Sequence, residues 1–374
     1  MMIKPISTFL IGILFFSCTN NPPSSQDVSS SPVTDWMFPV FTKVDSVNPC
    51  LLPSADPSFF CPLRKEEVKW EEKDVFNPTA VVKDGKVYLI YRAEDVVGKH
   101  AGTSRLGLAV SEDGYHFEKM AKPIFFPEED EMKIYEWEGG VEDPRVVESE
   151  AGTYIMTYTA WDGKTARLCV ASSEDLLNWK KHGLVLGKAD DGKYKDLWSK
   201  SGAIIVRREG DKLIAHKING KYWMYWGDTS IFICTSEDLI HWKPLKDADG
   251  ELLKLFGPRV GKFDSRLVEP GPSPIVTEKG IVMMYNGMNK IATGDTLLAD
   301  GTYASGQVLI DPNDPTKLLA RSESYFMKPD KAYEITGQIG RVCFLEGLVF
   351  FNQQWLLYYG TADSKIAVAA SADF

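Results

Sequence analysis

Residues 111–117 read SEDGYHF, residues 173–179 read SEDLLNW and residues 236–242 read SEDLIHW. The copies share Ser-Glu-Asp followed, after three residues, by an aromatic side chain, and their serines lie 62 and 63 residues apart. This spacing exceeds that of helical solenoid repeats and suits a four-stranded sheet unit with long loops. A degenerate copy, AASAD at residues 369–373, completes the series.

Five runs rich in β-branched and aromatic residues lie at a similar spacing, and a shorter apolar run precedes each. The long runs are residues 86–92, 153–158, 221–226, 281–285 and 354–359; the short ones are residues 78–82, 144–147, 202–206, 274–276 and 345–349. Short strand, turn, aromatic strand, third strand and Ser-Glu-Asp turn is the order typical of a propeller blade. The sequence therefore predicts an all-β fold, a five-bladed β-propeller with four-stranded blades. A two-sheet sandwich is the alternative.

Composition narrows the possible partners. Of 374 residues, 42 are Lys or Arg, 52 are Asp or Glu and 44% are hydrophobic, which excludes a disordered, collagen-like or polytopic membrane chain. The net charge is −10 and no basic block occurs. Because nucleic acid and anionic membrane surfaces are bound by clustered Lys and Arg, we expect neither as the main partner. An uncharged small molecule or a glycan fits better.

The N-terminal segment is typical of a bacterial lipoprotein. A basic start and a short apolar run precede the stretch LFFSC at residues 14–18, which resembles a lipobox in which Cys18 is lipidated. The sequence predicts a lipoprotein signal peptide at residues 1–17, a flexible tether at 18–35 and the propeller catalytic domain at 36–374. We expect a cell-envelope protein, on the periplasmic side, that meets the membrane through its lipid anchor only. Plain secretion is the alternative, and the oligomeric state is left open.

The remaining cysteines fall into two groups. Cys50 and Cys61 flank a Pro-rich loop and could form a bridge in an oxidising compartment. Cys169, Cys234 and Cys343 lie in apolar strand patterns that are typical of buried free thiols. No Cys-x-x-Cys or paired-His spacing occurs, so we expect no metal site and no cofactor.

The candidate chemistry lies at the ends of the short strands, because the first strands of propeller blades converge on one axial pocket. Polar residues there are Asn77, Glu142, Asp143, Lys200, Glu269 and the stretch 340–347. Two carboxyl groups on different blades are what glycosyl transfer needs, one as proton donor and one to activate the nucleophile on the opposite sugar face. The alternative is that Asp143 and Glu269 cap turns or pair with Arg145 and Lys262.

Several motifs in order from residue 76 onward resemble glycoside hydrolase family 130. They are FNP at 76–78, YR at 91–92, GVEDPR at 140–145, KSGA at 200–203, YNG at 285–287, ARS at 320–322 and YYGTAD at 358–363. The resemblance implies a five-bladed propeller that acts on β-mannosides. It leaves two activities open, because the family contains phosphorylases, which attack the glycosidic bond with phosphate, and inverting hydrolases, which attack it with water.

The resemblance also implies roles for individual residues. Asp143 is the expected general acid, and Glu269 the expected base for water, with Glu209 in the third-blade hairpin as a candidate second base. The resemblance implies that Asn77, Arg92, Arg145 and Asp363 hold the terminal mannose. Further candidates for contact with the sugar are Lys200, Asp228, Asn286 and Tyr303, of which Asn286 and Tyr303 could add polar or stacking contacts. Lys200 resembles the lysine that accompanies β-1,2 linkages, and its alternative role is an ion pair with an axial carboxylate. A protein that binds phosphate needs a cluster of basic side chains to offset the loss of the phosphate's hydration. The segment WGDT at 226–229 is acidic instead and would repel phosphate.

Three functions follow as hypotheses. The first is an inverting exo-β-mannosidase that releases mannose from the non-reducing end of β-1,2-linked mannosides. The second is a β-mannoside phosphorylase that forms mannose 1-phosphate. The third is a non-catalytic glycan-binding lipoprotein, and a related enzyme acting on arabinans or xylans is a further alternative.

Overall fold

The computed structural model describes Met2, residues 35–100 and residues 102–373. The predicted signal peptide apart from Met2, the lipidation site Cys18 and the tether up to residue 34 lie outside the described residues. Residues from Trp36 onward form one compact unit. None of the described helices is long and apolar enough to cross a membrane.

Strands dominate the described chain. The strands are β1 (Thr42–Lys43), β2 (Phe59–Cys61), β3 (Glu66–Val68), β4 (Asp74–Lys83), β5 (Lys86–Glu94), β6 (Ser104–Ser111), β7 (Glu118–Lys119), β8 (Gly140–Glu148), β9 (Tyr154–Trp161), β10 (Ala166–Ser173), β11 (Lys180–Leu184), β12 (Ala203–Ile204), β13 (Val206–Glu209), β14 (Lys212–Ala215), β15 (Lys217–Ile218), β16 (Lys221–Trp226), β17 (Ile231–Ser236), β18 (Trp242–Pro244), β19 (Lys254–Phe256), β20 (Leu267–Pro270), β21 (Ile275–Thr277), β22 (Gly280–Met288), β23 (Tyr303–Ile310), β24 (Leu318–Arg321), β25 (Cys343–Phe351), β26 (Gln354–Thr361) and β27 (Lys365–Ala372). The helices are α1 (Lys133–Glu136), α2 (Ala332–Ile335) and a 3₁₀ turn at Ala189–Gly192. The prediction of an all-β chain is confirmed.

Strand pairing groups most of these strands into five antiparallel units. The first is β4-β5-β6-β7, the second β8-β9-β10-β11, the third β12-β16-β17-β18, the fourth β20 and β21 with β22-β23-β24, and the fifth β25-β26-β27-β1. In the fifth unit, β1 from the start of the domain pairs with β27 from its end, with Thr42 opposite Ala370. Strands that are distant in sequence therefore complete one sheet.

Neighbouring units are also joined edge to edge. The hairpin β13–β14 pairs in parallel with β21 on one side, where Val206 lies opposite Ile275, and with β8 on the other, where Ile214 lies opposite Glu148. These contacts join the second and fourth units. The first unit is joined to the second by the parallel pairing of β6 with β8, where Ser104 lies opposite Gly140, so the three units form one extended sheet. Closure of the units into a five-bladed ring stays a prediction.

The repeated Ser-Glu-Asp sequence forms the same turn in three units, between the third strand and the short fourth strand. In the second unit, Oγ of Ser173 accepts a hydrogen bond from the backbone N–H of Leu176 at 2.9 Å, and Oδ1 of Asp175 accepts one from each of Leu177 and Asn178 at 2.8 Å. Equivalent bonds occur at residues 111–116 and 236–241. The repeat is therefore explained by side chains that satisfy turn N–H groups.

Each of the five aromatic second strands contains one completely buried tyrosine. Tyr91, Tyr158, Tyr225, Tyr285 and Tyr358 are completely buried. Every one of these hydroxyls donates a hydrogen bond, respectively to Glu71, Glu136, the carbonyl of Pro315, Asp264 and the carbonyl of Gly114. A buried tyrosine thus adds apolar area while its polar end finds a partner. This is why the aromatic runs mark the centre of each unit.

The cysteines are all free among the described residues. The possible bridge between Cys50 and Cys61 is therefore not formed. The Cys50 thiol lies 3.5 Å from the carbonyl of Ile366, and the Cys61 thiol lies 3.7 Å from the guanidinium of Arg105. Cys169, Cys234 and Cys343 are buried, as predicted.

Candidate active site

Three first strands are interrupted by a β-bulge at the same position. Asn77, Asp143 and Glu346 are each the fourth residue of β4, β8 and β25, and the register of each strand shifts at that point. A bulge re-aims a side chain that regular pleating would direct elsewhere. Asn77 and Asp143 have φ of 47° and 49°, a conformation that Asn and Asp tolerate better than most residues.

The ends of these strands surround a cavity of about 340 Å³. Its polar lining consists of Asn77, Arg92, Glu142, Asp143, Lys200, Glu269, Tyr303, Gln338 and Asp363; its apolar lining consists of Phe76, Trp161, Ala166, Trp198, Met288, Ile339, Val342 and Phe344. A concave site with a few convergent polar groups and aromatic walls is typical of small-ligand binding. The cavity brings Asp143 and Glu269 together from different units.

Arg92 is the central cation of the cavity. Its guanidinium lies 2.7 Å from Glu94, 2.8 Å from Glu142 and 3.2 Å from Asp143. The side chain also covers the ring of Phe76, with 4.6 Å between the guanidinium carbon and the ring centroid. Burial would lower the pKa of Arg92, but the surrounding carboxylates raise it further, so the guanidinium is fully charged.

The adjacent carboxyl groups of Glu142 and Asp143 are both buried and share Arg92. Burial raises the pKa of Glu142 to about 7, and the negative charge of Asp143 adds to that effect. Burial also opposes ionisation of Asp143, but Lys200 and Arg92 outweigh it and lower the pKa of Asp143 below its usual range. Two like charges this close do not both ionise easily, so Glu142 accepts a proton more readily than Asp143 does.

Asp143 is fixed by two further contacts. Nδ2 of Asn77 donates a hydrogen bond to Oδ1 of Asp143 at 2.9 Å, and Nζ of Lys200 lies 3.4 Å from Oδ2. Burial alone would lower the pKa of Lys200, whereas Asp143 and Glu269 raise it. Lys200 therefore carries a charge that faces both carboxyl groups.

Glu269, on β20, is almost completely buried, and its charge acts on Lys200 together with that of Asp143. Oγ of Ser201 donates to its Oε2 at 3.0 Å, and the hydroxyl of Tyr303 lies 3.4 Å from its Oε1. Burial raises the pKa of Glu269 to about 7; the charge of Lys200 opposes this rise and that of Asp228 adds to it. A carboxyl group with a pKa near neutrality is suited to accept a proton.

Asp363 completes the polar wall from the turn between β26 and β27. It has φ of 49° and follows Ala362 in the same left-handed conformation. Burial raises the pKa of Asp363 to about 7, although Arg92 opposes the rise. Strained backbone of this kind is concentrated at functional sites.

Arg145, expected to hold mannose, does not line the cavity. Its Nε and Nη2 donate to the carbonyls of Gly271 and Pro270, each at 2.8 Å, and its Nη1 lies 2.8 Å from Oε1 of Glu346. Only 2% of the Arg145 side chain and none of the Glu346 side chain is exposed. Its contacts are therefore with the protein and not with a ligand in the cavity.

Asn286, also expected to contact sugar, is engaged with the backbone. Its Nδ2 donates to the carbonyl of Leu345 at 3.0 Å, and its Oδ1 accepts from the N–H of Leu345 at 2.9 Å. The side chain is completely buried and does not line the cavity. It ties β22 to the bulge of β25 instead.

The structure does not bring Glu209 to the cavity. Its carboxylate is half-exposed and lies 2.5 Å from the guanidinium of Arg207, in the turn of the β13–β14 hairpin. A surface ion pair accounts for Glu209, which is therefore not in a position to act as a second base in the cavity. Asp228 does not line the cavity either, but its Oδ2 accepts a hydrogen bond from the indole Nε1 of the lining residue Trp198 at 2.5 Å.

Sequence reasoning missed Glu346 and the aromatic walls. Glu346 lies within the flagged stretch 340–347, but nothing in the sequence singles out its carboxyl group from its neighbours. Trp161 and Trp198 line the cavity from the end of β9 and from the segment before Lys200. Trp198 could have been predicted to line the cavity because it stands two residues before Lys200, which was itself predicted to lie there.

A family model described as beta-1,4-mannooligosaccharide phosphorylase, Glyco_hydro_130, matches residues 61–373. The chain belongs to glycoside hydrolase family 130. The resemblance seen in the motifs is thereby confirmed. Within the family, a 1,2-beta-oligomannan phosphorylase of Thermoanaerobacter sp. (strain X514) is 34% identical over 314 residues, covering 82% of this chain and 92% of the relative.

Solved structures of the same fold are more similar in sequence. A crystal structure from Bacteroides thetaiotaomicron VPI-5482, of a protein provisionally assigned as a glycosidase, has a TM-score of 0.90 and 48% identity and covers 92% of this chain and all of that one. Another has a TM-score of 0.88 and 45% identity, covering 90% of this chain and 95% of that one. It is described with the words "The GH130 family of mannoside phosphorylases contains glycoside hydrolases that target beta-1,2 mannosidic linkages in Candida mannan".

Proposed function

We propose that this family 130 protein is an inverting exo-β-mannosidase that releases mannose from the non-reducing end of β-1,2-linked mannosides. The observation that carries the proposal is the placement of Asp143 and Glu269 in one cavity, on strands of different units, with Lys200 and Ser201 between them. Inverting glycoside hydrolysis needs one carboxyl group as acid and another as base, far enough apart for a water molecule.

Asp143 is the proton donor in this proposal. Glu142 holds a proton more readily than Asp143, so the proton that Asp143 delivers to the glycosidic oxygen, with help from a mannose hydroxyl, is drawn from this acidic pair. Replacing the Lys200 and Arg92 contacts of Asp143 by sugar hydroxyls would favour this transfer, because the charges of Lys200 and Arg92 keep Asp143 ionised.

Glu269 is the base that takes a proton from the attacking water. Ser201 and Tyr303 orient its two oxygens, and burial raises its pKa to about 7. Asn77, Arg92 and Asp363 then hold the terminal mannose, and Lys200 faces the bond that is cleaved.

The charge balance of the cavity favours water over phosphate. Among its described lining residues, the basic ones are Arg92 and Lys200, and both already contact carboxylates. A phosphate dianion needs uncommitted cationic donors to replace its hydration. Glu269 and the nearby Asp228 add negative charge on the side that phosphate would occupy.

Phosphorolysis is the second candidate, because the Thermoanaerobacter relative is named a phosphorylase. Incubation with β-1,2- and β-1,4-mannobiose, with and without phosphate, separates the two when products and anomers are read by proton NMR. We expect α-mannose without phosphate, faster release from the β-1,2 substrate, and almost none from Asp143→Asn. Formation of mannose 1-phosphate at a rate that rises with phosphate would overturn the hydrolase proposal.

We further propose that the five units close into a five-bladed propeller. The pairing of β1 with β27 and the five equivalent buried tyrosines support this arrangement. A crystal structure with five units around one axis would establish it, and a sandwich of two stacked sheets would refute it.

The location is proposed from the sequence alone. Cys18 carries a lipid and anchors the protein to the periplasmic side of the bacterial envelope. Cys18→Ala should release the protein from the membrane fraction, and membrane association that persists in this variant would contradict the anchor.

A further inference from the structure

The base Glu269 is followed directly by two backbone carbonyl groups that one side chain holds. Nε of Arg145 donates to the carbonyl of Gly271 and Nη2 donates to that of Pro270, each at 2.8 Å. Arg145 lies on β8, two residues after the acid Asp143. One guanidinium therefore connects the strand of the acid to the strand of the base.

The acidic group beside this guanidinium is Glu346. Its carboxyl group lies 2.8 Å from Nη1 of Arg145, its side chain is completely buried, and this burial raises its pKa well above the usual range. The hydrogen bonds of the guanidinium therefore go to the two carbonyl groups, which offset the cost of its burial. The bulge of β25 directs Glu346 toward Arg145, since regular pleating would reverse the direction of that side chain.

Asn286 connects the strand of Glu346 to the strand of Glu269. It holds both backbone polar groups of Leu345, the residue before Glu346, and it lies opposite Glu269 in the pairing of β20 with β22. Contacts therefore run from Glu269 through Asn286, Leu345, Glu346 and Arg145 back to Pro270 and Gly271. Every residue in this circuit is buried.

We propose that Arg145, held by the carbonyls of Pro270 and Gly271 and lying beside the carboxyl group of Glu346, is a positioning residue that fixes Glu269 relative to Asp143 and makes no contact with the sugar. This inference rests on the proposed hydrolytic function. It differs from the expectation that Arg145 holds mannose, and the two assign opposite kinetic effects to the same variant. Loss of a positioning residue lowers kcat, whereas loss of a sugar contact weakens substrate binding.

The test is Arg145→Lys, which keeps the charge but cannot make the paired hydrogen bonds to both carbonyls. We expect kcat on β-1,2-mannobiose to fall about 10²-fold while KM stays within about threefold of the wild-type value. Sugar affinity is measured by calorimetry in the inactive Asp143→Asn background, with and without Arg145→Lys. Unchanged affinity is expected.

Arg105→Lys is the matched control, because Arg105 is equally buried and pairs with Asp95 outside the cavity. It should lower the melting temperature and leave kcat and KM unchanged. Should Arg145→Lys fail to fold, Arg145→Gln takes its place, because Gln also cannot hold both carbonyls, with the same expected loss of kcat at constant KM.

A tenfold or larger loss of sugar affinity with kcat retained would overturn the proposal, as would wild-type kinetics in both variants. The wild type is assayed with and without phosphate in the same series. Failure of the hydrolytic function is therefore read from the wild type alone, and failure of the positioning role from the ratio of variant to wild type.

Discussion

The ammonium nitrogen of Lys200 lies 3.4 Å from the carboxylate of Asp143. The next residue, Ser201, donates a hydrogen bond to Glu269 at 3.0 Å. Two consecutive residues thus contact the proposed acid and the proposed base from one backbone segment. The charge of Lys200 lowers the pKa of both carboxyl groups, so this one side chain influences both limbs of the pH profile.

Lys200→Met should move the acid limb of the kcat/KM profile to higher pH. Removing the positive charge lets the pKa of Glu269 rise, so the base becomes available only in more alkaline solution. The profile of mannose release between pH 4 and pH 9 measures the shift. Lys181→Met removes a lysine paired with the buried Glu136 outside the cavity and should leave the limb in place. A shift to lower pH in Lys200→Met would contradict the assignment.

Glu269→Gln should lower hydrolysis about 10²- to 10⁴-fold, the range expected for loss of a general base. The wild-type kcat/KM should increase as the pH rises through about 7, because burial raises the pKa of Glu269 to that value and the base must be ionised. The variant should lose this acid limb. Glu209→Gln, at the exposed hairpin, should retain full activity and the wild-type profile. Equal losses of activity in the two variants would contradict the assignment of Glu269 as the base.

Much of the fold was predictable because its signals are local. The Ser-Glu-Asp turns satisfy their own N–H groups within a few residues, and the aromatic strands alternate in a way that a short window reveals. The hairpin β13–β14 was placed correctly as a hairpin, but its parallel edges with β8 and β21 join segments that are far apart in the chain. No local pattern encodes such a pairing.

The site was predictable where a residue's role depends on its strand position. Asn77, Asp143 and Glu269 were identified because they stand at the beginnings of short strands, and the structure brings them to one cavity. Arg145 was expected to hold the sugar, but its partners in the structure are Glu346 and the carbonyls after Glu269, which come from other units. Only Pro144 separates Arg145 from Asp143, and the bulge at Asp143 decides which of the two faces the cavity.

Glu94→Gln should destabilise the protein at neutral pH, on the order of 3 kcal/mol. Burial would raise the pKa of Glu94, but Arg92 and Lys73 lower it to about 2 from an ordinary value of 4.5. A carboxyl group with a lowered folded-state pKa contributes its stability above the unfolded pKa and loses it as the pH falls toward the folded one.

The free-energy difference between wild type and Glu94→Gln should therefore be largest above pH 4.5 and shrink between pH 4.5 and pH 2. Urea unfolding at several pH values measures it. Glu66→Gln, on an exposed position of β3, is the control and should show no pH-dependent difference. A difference that grows toward acid pH would show that the pairing with Arg92 and Lys73 is not its source.

Asp175→Ala and Asp238→Ala should each lower the free energy of unfolding by about 1 kcal/mol, the usual cost of removing a side chain that accepts turn or cap N–H groups. Each aspartate oxygen accepts two backbone hydrogen bonds, and the two turns belong to different units. The double variant should therefore lose the sum of the single losses. Glu237→Ala, the exposed middle residue of the same motif, should cost much less in the same urea titration. Equal losses in Glu237→Ala and Asp238→Ala would mean that the motif is maintained for a reason other than these hydrogen bonds.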